Sequence, residues 1–99
     1  MNVVWAPAAL RELKAIREFI QIDNPERGRT FVDEMFAAGA RIADMPRAFP
    51  LVPKLESKHV RRRAYGRYVI LYRVEAERVD ILHVAHSAQD YIRNLFDIP

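Results

Sequence analysis

The sequence predicts an α+β fold in which an antiparallel helical hairpin packs on one face of an antiparallel-rich sheet. Two successive patterns of apolar residues predict it. Apolar residues recur every three or four positions between residues 7 and 43, and every second position after residue 59. The 99 residues are 51% hydrophobic and 29% charged, which is the composition of a globular chain with room for one core. We therefore expect residues 1–99 to form a single domain with the order βααβββ and an optional short C-terminal helix.

The first half of the chain predicts a short strand followed by two helices. Asn2–Trp5 is β-branched and aromatic, and Pro7 suits the first turn of a helix. Asn24, followed by Pro25, predicts the N-cap of the second helix. The apolar stripes are Ala9, Leu13, Ile16 and Ile20, widened by Ala6 and Leu10, and then Phe31, Met35, Ala38 and Ile42. We expect Gly39 to let the two helices approach closely.

The second half predicts strands. Prolines at positions 46, 50 and 53 end the helical region. Residues 59–64 are predicted as one strand, and residues 68–74 and 79–86 as a β-hairpin. A short helix is predicted within residues 90–97, with Ser87 as its cap. Because the helical hairpin covers one sheet face, we expect the other face to be free for function or for a partner.

Positive charge is concentrated in one segment. The formal net charge is +3, but residues 54–73 carry +6, residues 74–99 carry −3, and the first 53 residues are neutral. On a strand, Arg61, Arg63 and Tyr65 share one face and Arg62 lies on the other. Paired guanidinium groups beside an aromatic ring suit phosphate binding and base stacking. A charged edge strand that discourages aggregation is the alternative interpretation.

Several classes of site are excluded or disfavoured. The chain has no cysteine, so disulfides, thiolate chemistry and cysteine-based zinc sites are absent. It has no glycine-rich phosphate loop and no nucleophile elbow, and His83 and His86 fall on opposite faces of a regular strand. We expect no cofactor and no metal. No apolar run suits a membrane span or a signal peptide, so we expect no membrane association and a cytoplasmic location.

Four segments in a fixed order carry a resemblance to a known family. They are Trp5-Ala6-Pro7 with Ala9-x3-Leu13-x2-Ile16, Met45-Pro46, Arg61-x6-Tyr68-x3-Tyr72-Arg73-Val74, and Val79-x-Ile81-Leu82-x-Val84-x-His86. Over nearly the whole chain they resemble the RelE/ParE toxins of type II toxin–antitoxin systems. The resemblance implies a helical hairpin on an antiparallel-rich sheet. It also implies a small bacterial, growth-inhibiting toxin of the kind associated with plasmid stabilisation.

The resemblance leaves two activities open. RelE-like members cleave ribosome-bound mRNA, and ParE-like members inhibit DNA gyrase. If the chain is an mRNA interferase, the implied catalytic residues are Arg61, Arg63, His86 and Tyr91. Val69 and Ser87 stand where RelE-like cleavers usually carry arginine, and residues 84–90 look closer to the ParE form, although Gln89 replaces an arginine common there. We therefore favour a ParE-like toxin over an interferase, with a degenerate, non-toxic binding module as a third reading. The alternative interpretation of Tyr91 is an aromatic residue of the core.

The resemblance implies protein partners. A cognate antitoxin is expected to wrap the toxin through a helix and an extended segment, giving a toxin–antitoxin hetero-oligomer. The expected binding surface for the antitoxin or the target comprises Arg61, Arg63, Tyr65, Arg67 and Arg73. The target is DNA gyrase in the ParE reading and the ribosome with its mRNA in the RelE reading. A segment of net charge +6 favours an acidic or mixed-charge partner and speeds its association.

Overall fold

The computed structural model describes residues 1–98. Its elements are β1 (Asn2–Trp5), α1 (Pro7–Asp23), α2 (Pro25–Ile42), a 3₁₀ turn (Glu56–Lys58), β2 (Arg61–Tyr65), β3 (Tyr68–Glu75), β4 (Arg78–His86) and α3 (Tyr91–Phe96). This order confirms the predicted α+β fold, including the short C-terminal helix. Residues 59–60 precede β2 rather than belonging to it, because His59 adopts a left-handed conformation with a φ of 58°.

The four strands form one mixed sheet in the order β1-β4-β3-β2. The β2–β3 and β3–β4 pairs are antiparallel, and β1 lies parallel to β4, with Asn2 opposite Arg78 and Trp5 opposite Ile81. The first half of β2 is covered along its outer edge by residues 50–52, because the Val52 N–H donates to Val60 O and the Arg62 N–H donates to Pro50 O. The β2 strand therefore has a free outer edge only toward Tyr65.

The helical hairpin packs on one face of the sheet, as predicted. Asn24 caps α2, and its side chain accepts from the Arg27 N–H at 3.0 Å. The first core cluster contains Ala9, Leu13, Phe31, Met35, Ala38, Ile42, Ile70, Tyr72, Val79, Ile81 and Val84. Leu10 does not belong to the stripe, because α1 turns Ala9 and Leu13 toward the sheet and leaves Leu10 43% exposed.

Gly39 is not the point at which the two helices approach each other closely, contrary to the prediction. A Cβ atom at this position would lie 2.5 Å from Trp5 Cζ2 and 2.9 Å from Ile81 Cδ1, so the close approach is between α2 and the sheet. The close approach between the helices is at Gly28, where a Cβ atom would lie 3.0 Å from Gln21 Cβ. The prediction failed because Gly39 lies on the buried face of α2, and that face meets Trp5 there.

The second face of the sheet is not free, contrary to the sequence-based expectation. It carries a second buried cluster of Val52, Leu55, Val60, Val69, Leu71, Ala85 and Tyr91, which α3 and the segment of residues 52–60 cover. Arg62 Nη1 donates to the Tyr91 hydroxyl at 3.1 Å and so connects β2 to α3. The cap of α3 is Asp90 rather than Ser87, because the Asp90 side chain accepts from the Arg93 N–H.

A β-bulge interrupts the pairing of β3 with β4. Leu71 lies opposite His83, whereas the next residue, Tyr72, lies opposite Ile81, so Leu82 is the extra residue. Ile81 and Val84 consequently both belong to the first cluster although they are three positions apart. No helix within residues 1–98 is long and apolar enough to cross a membrane.

Candidate partner-binding surface

Two adjoining grooves lie where the helical hairpin meets the ends of the central strands. The β4 groove has a volume of about 370 Å³ and is lined by Glu12, Ala15, Ile16, Phe19, Tyr68, Val84, Ala85, His86 and Gln89. The turn groove has a volume of about 410 Å³ and is lined by Phe19, Ile20, Arg27, Phe31, Tyr65, Gly66, Arg67 and Tyr68. Phe19 and Tyr68 belong to both, so the two grooves form one continuous concave surface.

The α1 helix presents apolar side chains to solvent beside these grooves. Phe19 is 72% exposed and Ile22 is 79% exposed, and both lie in the last turns of α1. The floor beneath Phe19 is apolar and aromatic, with Tyr68 packed against the Phe31 ring at a centroid distance of 5.0 Å. Exposed apolar side chains next to an apolar groove are typical of a protein-binding site.

The β4 groove also contains a stretch of the outer edge of β4 that no strand covers. β1 ends at Trp5, so the outer edge of β4 has no strand beside it after Ile81, whose carbonyl accepts from the Ala6 N–H at 2.8 Å. The Val84 N–H points to this edge and donates to Glu12 Oε1 at 3.0 Å. Because backbone groups alternate sides along a strand, Val84 C=O and His86 N–H point to the same edge. An extended peptide could pair with β4 there.

Glu12 joins α1 to this edge of β4. Its carboxylate accepts from the Val84 N–H and from His83 Nδ1–H, the latter at 2.9 Å from Oε2. Both Glu12 and His83 are half-buried, so water competes only partly for these bonds. Glu12 thus occupies the position that a backbone carbonyl of a further strand would take.

Replacement of Glu12 tests how much its hydrogen bond to the Val84 N–H contributes to the stability of the protein. Glu12→Ala leaves the Val84 N–H without its partner, and we expect the free energy of unfolding to fall by about 1–3 kcal/mol. Glu12→Gln retains an oxygen acceptor of the same length and is expected to lose less than half as much. Urea denaturation of both variants measures the difference. An equal loss in the two variants would contradict a role for the accepting oxygen.

An ionic cluster closes the far side of the turn groove. Glu34 accepts from the Tyr65 hydroxyl at 2.7 Å and from Arg27 Nη1 at 2.6 Å, which ties β2 to α2. The hydrogen bond from Arg27, followed by that from Tyr65, holds the pKa of Glu34 below its usual value. The same bond to Glu34 raises the pKa of Tyr65 above its usual value. The cluster is therefore charged on Arg27 and Glu34 at neutral pH, while Tyr65 remains a donor.

The predicted arginines occupy the other end of β2. Arg61 Nη1 donates to the carbonyl oxygens of Phe49, at 2.7 Å, and Arg47, at 3.3 Å. The Arg63 guanidinium lies 5.3 Å from the centre of the Phe49 ring and 5.9 Å from that of Tyr65. Beneath them, burial raises the pKa of Tyr72 to about 12, against the opposing effect of Arg61 and Arg63. This end of β2 therefore holds two fixed guanidinium groups on the hairpin face of the sheet.

The structure places the four predicted catalytic side chains in three separate locations. Arg61 and Arg63 lie on β2, while His86 lies two strands away on β4, beside Tyr68 at a ring distance of 5.3 Å. The Nδ1 atom of His86 accepts from the Ala88 N–H. Tyr91 is only 7% exposed and lies under the opposite face of the sheet, in the second cluster.

The predicted binding residues divide into three groups. Tyr65 and Arg67 line the turn groove, and Arg61 and Arg63 surround Phe49. Arg73 lies elsewhere, because it follows Tyr72 on β3 and so faces the opposite side of the sheet, where its Nε is 2.9 Å from Glu75 Oε1.

Sequence reasoning missed Phe19, Ile22 and Glu12. The available signal was that Phe19 and Ile22 are large apolar residues outside the predicted stripe of α1. Glu12 had no such signal, because its partners on β4 lie 71 and 72 residues away in the sequence. Within residues 1–98, no three His, Asp or Glu side chains lie close enough together to hold a metal ion.

Comparison with known proteins gives a family and a fold. A family model described as "ParE toxin of type II toxin-antitoxin system, parDE" matches residues 3–91. Among solved structures, a chain from the chromosomal ParDE TA system of P. aeruginosa superposes with a TM-score of 0.73. It is 19% identical in sequence, and the match covers 87% of this chain and 95% of that chain, so the likeness is one of fold. No curated protein matches the sequence.

Proposed function

Because the chain belongs to the ParE toxin family of type II toxin–antitoxin systems, we propose that it acts by inhibiting DNA gyrase. The observation that favours a ParE-like activity over RNA cleavage is that the candidate catalytic groups lie apart from one another in the structure. A nuclease needs its proton-transfer group within hydrogen-bond reach of a phosphate held by its cationic residues. His86 is two strands from Arg63, and the Tyr91 hydroxyl is bonded to Arg62 under the opposite face.

The antitoxin is proposed to bind in the β4 groove and the turn groove. Three observations support this position: the apolar floor, the exposed Phe19 and Ile22, and the outer edge of β4 at Val84 and His86, where the Glu12 side chain rather than a strand accepts from the Val84 N–H. A helix of the antitoxin supplies apolar contacts to α1, and an extended segment pairs with the strand edge. Tyr65 and Arg67 belong to this antitoxin surface, because they line the turn groove.

The gyrase-binding surface is proposed to include Arg61 and Arg63. Both are held in place by Phe49, through its carbonyl oxygen and its ring respectively, so their charge is preorganised. Arg73 contributes less in this proposal, because Glu75 offsets its charge on the opposite face. The family match over residues 3–91 supports a single toxin domain spanning residues 1–99.

The proposal is tested by inducing the protein in a bacterial host and assaying purified gyrase. The expected result is growth arrest, an SOS response and accumulation of gyrase cleavage complexes. Intact DNA with ribosome-dependent mRNA cleavage would overturn the proposal in favour of an mRNA interferase. Absence of any growth defect would indicate a binding module without toxicity, which also overturns it.

A matched pair of variants assigns the activity to β2. Arg63→Ala is expected to lower gyrase inhibition by about 10-fold, because a preorganised cationic contact is lost. Arg11→Ala removes the same charge from an exposed position on α1 and is expected to change inhibition by less than about 2-fold. The dose of toxin that half-inhibits supercoiling measures both. If the two variants change inhibition equally, Arg63 contributes only through its charge and not through its position on β2.

A further inference from the structure

A small cationic pocket lies at the start of β2, apart from both grooves. It has a volume of about 150 Å³ and is lined by Arg47, Leu51, His59, Arg61 and Val74. No acidic side chain lines it. Of its two arginines, Arg61 belongs to the segment of residues 54–73, which carries a net charge of +6 with Glu56 as its single acidic residue, and Arg47 comes from the segment after α2.

Contacts with the backbone hold Arg61 in place at the pocket. Arg61 Nη1 is fixed by the carbonyl oxygens of Arg47 and Phe49, and Leu51 pairs with Arg61 as an isolated β-bridge. Within residues 1–98, Nη2 and Nε of Arg61 donate to no protein atom. His59 is fixed by its left-handed backbone and by the bond from its N–H to Glu56 O at 2.9 Å. The Arg61 guanidinium is therefore preorganised with two of its nitrogens unused by the described part of the chain, and the backbone of His59 is fixed beside it.

The pocket is separate from the proposed antitoxin surface. None of its lining residues belongs to the β4 groove or the turn groove. Arg61 is level with Tyr72 in the β2–β3 ladder, whereas Tyr65 is level with Tyr68 at the turn groove. Arg61 and Tyr65 are four residues apart on β2, which places the pocket about 13 Å along the strand from the turn groove. A ligand in the pocket and a partner in the grooves can thus bind at the same time.

We propose that this pocket binds a phosphate group of a single-stranded nucleic-acid backbone. Its charge and size suit one tetrahedral oxyanion, for which the fork of an arginine is a matched donor. On the same face of β2, the Arg63 guanidinium lies 5.3 Å from the centre of the Phe49 ring and 5.9 Å from that of Tyr65, and its Nε is buried without a partner among the described residues. Stacked guanidinium and aromatic groups beside a phosphate pocket bind nucleotides without sequence preference, whereas an acidic peptide needs no such rings.

Fluorescence anisotropy of a labelled oligothymidylate of about 12 nucleotides tests this site on the full chain, at about 50 mM salt. Arg47→Ala is the informative variant, because it removes a pocket side chain but keeps the carbonyl oxygen that anchors Arg61. We expect it to weaken binding by about 5- to 10-fold and to reduce the salt slope by about 0.7. The control Arg11→Ala is expected to weaken binding by less than about 2-fold.

Two further measurements separate this proposal from its competitors. His59→Asn keeps a residue that tolerates the left-handed backbone, and it is expected to weaken binding less than Arg47→Ala does. Polyglutamate is expected to compete poorly with the oligonucleotide. Equal weakening by Arg47→Ala and Arg11→Ala, or polyglutamate binding that depends on Arg47, would overturn the phosphate site. The assay contains no gyrase, so the measured oligonucleotide binding does not depend on whether the chain inhibits gyrase.

Discussion

Replacement of Phe19 by aspartate is expected to weaken antitoxin binding by about 100-fold or more. Phe19 is 72% exposed and joins the two grooves, so it has the position of a central anchor in the proposed interface. A carboxylate there would be buried without a partner in the complex. Because Phe19 makes few contacts in the free toxin, the free energy of unfolding is expected to change by less than about 0.5 kcal/mol. Titration calorimetry and urea denaturation measure the two quantities.

Leu10→Asp is the matched control for Phe19→Asp. Leu10 is on the same helix and is 43% exposed, but it lines neither groove. We expect it to change antitoxin affinity by less than about 3-fold. In cells, co-expressed antitoxin should neutralise the Leu10 variant and fail to neutralise the Phe19 variant. If both variants bind the antitoxin normally, the antitoxin lies on a different surface and the groove assignment is wrong.

Replacement of Gly39 by alanine is expected to destabilise the protein by about 2 kcal/mol, although alanine is the better helix former. The added Cβ would lie 2.5 Å from Trp5 Cζ2 and 2.9 Å from Ile81 Cδ1, which forces Trp5 to move or α2 to shift. For a chain of this length, the loss corresponds to a fall in Tm of about 10 °C. Differential scanning calorimetry measures it.

Two companion variants show whether the effect comes from packing. Ala40→Gly changes the exposed neighbour on α2 and is expected to cost about 1 kcal/mol through helix propensity alone. Trp5→Phe makes room beside Gly39. The double variant Trp5→Phe/Gly39→Ala is therefore expected to lose less free energy of unfolding than the two single variants lose in sum. A stabilising effect of Gly39→Ala would contradict this prediction, because it would show that α2 and β1 can move apart without a loss in the free energy of unfolding.

The elements of this fold were predictable because their signals are local. The stripe from Phe31 to Ile42, the Asn24 cap and the alternation of residues 68–74 each depend on neighbours within a few residues. The strand order and the second core cluster depend on contacts between distant segments. Val52, Leu55 and Val60 follow no regular period, and so they gave no sign that residues 52–60 cover the sheet.

The candidate site was less predictable than the fold for the same reason. The predicted residues Arg61, Arg63 and Tyr65 were assigned correctly to one face of β2 by alternation. Their neighbours Arg47 and Phe49 come from the irregular segment after α2, whose path no periodic pattern describes. The β4 groove depends on where β1 stops relative to β4, which is a property of the sheet and not of either strand.

The parallel pairing of β1 with β4 has a consequence for synthesis on the ribosome. Residues 2–5 pair with residues 78–81, so β1 has no partner strand until residue 81 has been translated. The apolar stripes of α1 and α2 have no sheet to cover during the same interval, because they pack on β3 and β4. Contacts so distant in sequence form late and slowly. A nascent chain therefore cannot complete the β4 groove before residues 84–86 and 89, which form part of its lining, have been translated.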